Sequence, residues 1–400
     1  MKTIWCISKY ANPENYGFSN KLYNTAQHLS NRYNVTLISS TASKNNINMN
    51  RTGQYYEETI GNLKSVLVKQ TNRLKMITFW RLLQWFTFDA KLGKYFRKST
   101  DKPDLIIISS VPITTIAWAL HIKKKYNIKV VFEVRDIYPL TLIDMGYSKF
   151  NPLILYFSHL ERKAYLESDL IVGTMPNLKE HVENVTRKKC NAFHSPIGLN
   201  PRFELNVNQE AQIINDGVLR IYYSGTINKG NNLDTFFNMI REFSNDSRVH
   251  FTIIGDGNLL NYYQKKTKNL KNITYLGRIK STEIKSAISN ADVLYFSTSK
   301  GEVWKYGQSK NKILEYMASG KFIMAAFEGY ASMINETNGV IITEPDNLQQ
   351  HIATLNIILT MTKKELHHKG STNIKIIKNS YTYETINKEY QSKIEEILYN

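Results

Sequence analysis

Short apolar runs alternate along the chain with stretches whose apolar residues recur every three or four positions. This pattern predicts parallel sheets joined by crossover helices. In the first half the strand-like runs are Thr3–Ile7, Val35–Ser39, Leu105–Ser109, Val130–Val134 and Leu170–Gly173. In the second half they are Arg220–Ser224, His250–Gly255, Ile273–Gly277, Val293–Ser297, Phe322–Ala325 and Gly339–Ile342. Helix patterns lie between them at Ser19–Ser30, Asn151–Glu167, Leu233–Phe243 and Lys310–Ala318. The segment Ser195–Asp216 has no periodicity and is rich in Asn and Pro, so the join between two α/β halves is expected there. The last stretch carries Tyr383, Ile386, Tyr390, Ile394 and Ile397 at helical spacing. The expected division is therefore a domain over 1–198, a second over 199–380, and a helix over 381–400.

The length agrees with two cores, since 400 residues exceed what one ordinary core encloses. The two cysteines, Cys6 and Cys190, have neither zinc-like nor disulfide spacing, which suits a reducing compartment. The run Ile4–Ile7 is too short for a secretory signal, and no apolar run approaches the ~18 residues of a membrane span. A cytoplasmic protein is expected, peripheral on the cytoplasmic face of the membrane. The net charge of +18 implies attraction to polyanions. No nucleic-acid recognition motif accompanies it, so nucleic acid is not expected as a partner, which leaves anionic lipid and phosphorylated substrates.

In open parallel sheets, ligands bind beyond the carboxyl ends of the strands. After Arg220–Ser224 comes Gly225-Thr226-Ile227-Asn228-Lys229-Gly230, where glycine permits close backbone approach and Lys229 offers a charge for a diphosphate. A tight turn without a ligand would carry the same residues. Gly255-Asp256-Gly257-Asn258, after His250–Gly255, is also a turn signature. The run Tyr306–Lys321 is richer. Ser309 is placed to cap a helix whose first turn holds Lys310, Asn311 and Lys312, against the preference of the helix dipole for anions. A diphosphate on that helix start would make sense of the lysines, and Glu315 one turn later could accept bonds from ribose hydroxyls. In the first half, Arg135 and Asp136 follow a strand. They serve either acceptor contact, with Asp136 orienting or deprotonating a hydroxyl, or a local network before Pro139. Glu133, inside that strand, needs a partner if buried.

The run G-x-S-x-N-K-x-x-E-Y-M-A-x-G-K from Gly307 to Lys321 resembles the donor-binding motif of GT-B glycosyltransferases of family 4. It is similar to the branch that builds bacterial capsules and O-antigens, N-acetylfucosamine transferases included. Phe132–Pro139 resembles that branch's F-E-V-R-D-x-x-P segment, Ile254–Gly257 its I-G-D-G turn, and Asn12–Gly17 lies where the family has its first glycine-containing loop. The resemblance covers residues 1 to about 330 and includes the final helix. It implies two Rossmann-like domains facing a cleft, with the last helix crossing back to the first domain. The first domain would take the acceptor and the second the nucleotide sugar.

The implied activity is metal-independent transfer with retention, from a nucleoside diphosphate sugar such as a UDP-sugar to a lipid-diphosphate-linked or growing polysaccharide acceptor. An N-acetylated deoxyhexose is the sugar suggested. No cofactor or metal is expected. The donor set carried over is Gly225, Thr226, Lys229, Gly255, Gly257, Ser309, Lys310, Asn311, Lys312, Ile313 and Glu315. Gly17, Ser110, Glu133 and Arg135 fall on the acceptor side, and Asp136, Arg135 and Lys312 are the catalytic candidates. Glu315 matches the second carboxylate of the family's E-x7-E motif. The first falls at Gly307 and is absent, with Glu302 as a stand-in. Thr226 replaces the family's diphosphate arginine and Lys229 only approximates its lysine, so Lys310 and Lys312 are expected to compensate. Ser109–Pro112 occupies the place of a family histidine, so no histidine base is implied. A sugar-nucleotide 2-epimerase and a non-catalytic partner subunit are the alternatives.

Residues 73–98 carry seven basic side chains against Asp89 and are otherwise largely aromatic or aliphatic. The polar positions Arg81, Gln84, Thr87, Lys91, Lys94 and Lys98 recur at helical spacing. The stretch is expected to be a helix that either meets anionic membrane through a basic and an aromatic face or packs its aromatics on the first sheet.

Overall fold

The computed structural model describes residues 1–13, 21–41, 53–70, 79–201, 203 and 214–399. Gly17, the start of the expected Ser19–Ser30 helix and the 73–78 part of the basic stretch lie outside the described residues. The chain divides into two compact units, Met1–Ile197 with Tyr383–Asn400, and Gly198–Thr382. Each has the α/β construction that the alternating pattern implies.

The first unit runs β1 (Thr3–Ile7), α1 (Lys21–Leu29), β2 (Asn34–Ser40), β3 (Tyr55–Ile60), β4 (Leu63–Val68), α2 (Phe79–Lys98), β5 (Leu105–Ser109), α3 (Thr115–Tyr126), β6 (Lys129–Val134), α4 (Leu140–Asp144), α5 (Pro152–Glu167), β7 (Leu170–Gly173), α6 (Leu178–Thr186) and β8 (Ala192–His194). Among the described residues its sheet has the order β3-β4-β2-β1-β5-β6-β7-β8. Strands such as Leu105–Ser109 are buried along their whole length, because a parallel sheet covered on both faces wants continuous rather than alternating hydrophobicity. The edge departs from the parallel expectation. β3 returns antiparallel to β4 through Gly61-Asn62, and a two-residue turn allows no other return.

The second unit runs β9 (Leu219–Ser224), α7 (Asp234–Glu242), β10 (Val249–Ile254), α8 (Leu260–Lys266), β11 (Ile273–Gly277), α9 (Ile284–Ile288), β12 (Val293–Ser297), α10 (Asn311–Ala318), β13 (Phe322–Ala326), β14 (Val340–Thr343), α11 (Leu348–Thr360) and α12 (Lys363–Ser380). Its described strands pair in the order β11-β10-β9-β12-β13-β14, all parallel. Its core includes Phe236 stacked on Tyr295 and Phe237 stacked on Tyr263, with ring centroids 3.9 and 4.0 Å apart. From β9 the chain moves outward through β10 and β11, then returns to the other flank at β12. The ends of β9 and β12 thus mark the switch point where open α/β sheets bind ligands.

The final helix, α13 (Tyr383–Tyr399), belongs to the first unit. Its Tyr390 and Ile394 are buried in the core that β1, β2 and α1 share, and Asn387 accepts a hydrogen bond from Thr25 and donates one to the Asn24 carbonyl.

Candidate donor and acceptor sites

The end of β9 is held by two tyrosines. Tyr223, next to last in the strand, is buried and donates its hydroxyl hydrogen to the Thr226 carbonyl at 2.7 Å. Tyr316 on α10 accepts from the Ser224 amide at 2.7 Å and donates to the Ser224 carbonyl at 3.0 Å. Strand and helix are thereby latched, and the loop after β9 takes a fixed course. Gly225 has φ +155, and a β-carbon on it would lie 2.3 Å from Lys312 Nζ. Gly257 lies against the same loop, where a β-carbon would come 2.1 Å from the Ile227 carbonyl. Both glycines are required for close packing, whether or not a ligand also approaches.

Lys312 points back from the first turn of α10. Its ammonium donates to the Tyr223 hydroxyl at 3.1 Å and stands 4.5 Å from the centre of that ring. Burial first, then the neighbouring Lys310, brings its pKa down to about 7, while Glu315 opposes the fall. Glu315, half-buried one turn on, is pushed up to about 7 by burial, and Lys312 works against that. This end of the unit thus holds a lysine and a carboxyl that are both shifted to about 7, an arrangement common at functional sites.

Two assignments change, at Ser309 and Ile313, and two residues gain partners. The helix N-cap is Lys310, with extended backbone and no side-chain capping bond, so Ser309 lies one residue outside the helix and does not cap it. The Lys310 ammonium sits 4.4 Å over the Trp304 ring, an aromatic partner that the motif did not announce. Ile313 is buried and its amide donates to the Lys310 carbonyl, so its side chain supports the helix from the core. Glu302 pairs with Lys305 at 2.5 Å, both side chains exposed. Gly307, where the family's first carboxylate would fall, has φ +90, a backbone that a glutamate adopts only with strain. Asn311, Thr226 and Lys229 are exposed, and Gly255 closes against the Gly225 carbonyl. The structure brings Gly225, Gly255, Gly257, Lys312 and Glu315 to the switch-point end of this unit.

In the first unit Ser110, just beyond β5, is buried. Its hydroxyl accepts from the amides of Arg135 and Asp136 at 3.1 and 3.3 Å and donates to the Asp136 carbonyl at 3.0 Å. Ser110 therefore braces the turn, while Arg135 is half-buried and Asp136 is exposed. Glu133 moves off the acceptor side. It is fully enclosed, 3.3 Å from the Lys21 ammonium, which also donates to Ser195 Oγ at 2.9 Å. Lys21, 112 positions from Glu133 in sequence, is the partner that the buried carboxylate required.

α2 faces two ways. Trp85 and Phe88 are buried and Gln84 is bonded to Lys9, whereas Arg81, Lys94, Arg97 and Lys98 are exposed. Trp85 is therefore a core residue, as the packing alternative has it. Lys91 is half-buried and donates to the Lys69 carbonyl. Among the described residues, no three His, Cys, Asp or Glu side chains gather as a metal site requires, and no helix is long and apolar enough to cross a membrane.

The model for glycosyltransferase family 4 matches residues 17–198, and that for glycosyl transferases group 1 matches residues 219–359. No curated protein matches the chain. Sucrose-phosphate synthase from Thermosynechococcus elongatus superposes with a TM-score of 0.73 at 12% identity, over 99% of both chains. The trehalose-6-phosphate synthase OtsA gives 0.71 at 12% identity, over 99% of both chains. Anabaena HepE in complex with UDP gives 0.65 at 12% identity, over 99% of this chain and 100% of its own. At such identity the likeness to these structures is one of fold.

Proposed function

We propose that this chain, a glycosyltransferase of the GT-B type, moves a sugar with retention from a nucleoside diphosphate to a lipid-diphosphate-linked or growing polysaccharide acceptor in bacterial surface polysaccharide synthesis. The observation that carries the donor half is Lys312, held by Tyr223 against Gly225 at the switch point of the second unit. A half-buried ammonium kept there gains most from a diphosphate, and most of all as negative charge grows on the departing nucleotide. Lys312 would stabilise the leaving group, with Lys310, Lys229 and the start of α10 around it. Glu315 would accept hydrogen bonds from the ribose hydroxyls. HepE was solved with UDP and with UDP-glucose, which favours UDP as the nucleotide to try first. An N-acetylated deoxyhexose remains the sugar proposed.

On the first unit, Asp136 would orient or deprotonate the acceptor hydroxyl and Arg135 would contact the acceptor, on a turn that Ser110 braces. No metal is assigned a role. The exposed Arg81, Lys94, Arg97 and Lys98 of α2 would hold the enzyme at an anionic membrane on the cytoplasmic side, next to a lipid-borne acceptor. The deciding experiment assays nucleotide-sugar turnover with and without a lipid-diphosphate acceptor, in excess EDTA. Acceptor-dependent transfer that survives EDTA is expected. Sugar epimerised at C2, nucleotide-linked or released by water, would indicate the 2-epimerase, and no turnover of any nucleotide sugar would leave a non-catalytic subunit.

A further inference from the structure

The α4–α5 connection is built differently from the rest of the first unit. α4 contains no buried residue, and the chain after it stays exposed through Pro152. Met145 is 71% exposed, Phe150 74% and Leu155 54%, with Tyr147 and Tyr156 also turned outward. Single exposed apolar residues are ordinary, but five large ones within twelve positions form a patch that calls for a partner. The cost is not forced by the helix itself. α5 is capped by Asn151 and started by Pro152, and it buries Ile154 and Phe157 on its other side. No acidic residue occurs between Asp144 and Glu161, whereas Lys149 lies in the middle, its ammonium 5.1 Å from the Phe150 ring. Trp85 of α2 packs 5.9 Å from Phe157, which sets the basic helix alongside α5, with Leu83 and Phe86 of α2 exposed as well.

We infer that the segment Met145–Tyr156 inserts its apolar side chains into an anionic bilayer, with Lys149 and the exposed cations of α2 meeting the headgroups. Apolar tips for the acyl boundary, tyrosines for the interface and a surplus of cations over carboxylates are the chemistry of a lipid surface. Asp144 borders the segment and no carboxylate lies within it, which an anionic surface requires and a protein partner does not. The inference rests on the bilayer-facing reading of α2 for its partner, and it assigns the apolar half of that contact to a different segment.

The test is co-sedimentation of the full chain with phosphatidylcholine vesicles, with and without phosphatidylglycerol. M145S/F150S, both at exposed positions, is compared with K94Q/R97Q/K98Q, and thermal denaturation checks that each folds. Wild type should pellet with the anionic vesicles. M145S/F150S should bind about tenfold more weakly, the equivalent of roughly 1.4 kcal/mol of lost apolar transfer. If M145S/F150S binds like wild type while the α2 variant does not, the segment is overturned and α2 alone stands. If nothing pellets, or if M145S/F150S only dissociates a protein dimer, the lipid assignment falls altogether.

Discussion

The Lys312 ammonium occupies the space beside Gly225 that any side chain there would need, with Nζ 2.3 Å and Cε 2.5 Å from the position of a β-carbon. Gly225→Ala should therefore displace Lys312 as well as strain a backbone at φ +155. A cost of roughly 1–3 kcal/mol to stability is expected, together with at least a tenfold fall in kcat/KM for the nucleotide sugar. Because the damage runs through Lys312, the double variant with Lys312→Ala should be much less than additive. Additive losses in kcat/KM would show that Gly225 and Lys312 act independently.

The Tyr223 hydroxyl joins the same lysine to the Thr226 carbonyl. Tyr223→Phe keeps the ring and removes both bonds, worth about 0.5–1.5 kcal/mol each. The expected signature is a fall in kcat larger than any rise in donor KM, since the lysine is needed most when the leaving diphosphate gains charge. A variant with wild-type kcat would reduce Tyr223 to a packing residue.

Lys312 and Glu315 are both brought to about 7, the lysine lowered and the carboxyl raised, each chiefly by burial. The lysine loses its charge as pH rises through that value, and the carboxylate is neutralised as pH falls through it. Binding a diphosphate and a ribose uses both charged forms, so kcat/KM should follow a bell centred near neutrality, and its limbs belong to the coupled pair. Glu315→Gln should flatten the acidic limb and weaken the donor by about 1.5–3 kcal/mol. A profile flat from pH 6 to 8.5 would separate these groups from the donor.

Most strands of both sheets were legible because parallel strands are buried on both faces and appear as unbroken apolar runs, such as Leu105–Ser109 and Val293–Ser297, but β4, whose run is broken by Lys64 and Ser65, and the three-residue β8 were not. β3 was also missed, because its residues are half-exposed and its identity comes from pairing with β4. The helix that carries Lys312 and Glu315 was also visible, but its first residue was placed one too early. Ser309 is a good capping residue, and only the backbone shows that Lys310 takes the cap position. Tyr223 gave no signal beyond a tyrosine near the end of a strand. Its role depends on Lys312, 89 positions away. In α2 the spacing predicted a helix but left its rotation open between membrane and sheet; Trp85 packs inward, as the packing alternative has it, and Gln84, read as a polar-face position, turns inward with it.

Glu133 and Lys21 have no solvent exposure on either side chain, and the ammonium also stands 4.6 Å from the Tyr390 ring of α13. Removing one member of such a pair leaves a buried charge without compensation. Glu133→Ala or Lys21→Ala should destabilise the protein by about 3–5 kcal/mol in urea denaturation. Replacing both with apolar residues, Lys21→Met with Glu133→Leu, should cost less than either single change, because the desolvation penalty disappears along with the attraction. The C-terminal helix gives an independent readout. Since Lys21 lies under Tyr390, the single variants should also speed proteolysis within 383–399. A group that touches acceptor would behave otherwise: its alanine variant would lose turnover and keep its stability. If Glu133→Ala shows wild-type unfolding and lost transfer, the carboxylate belongs to the acceptor site and not to the core.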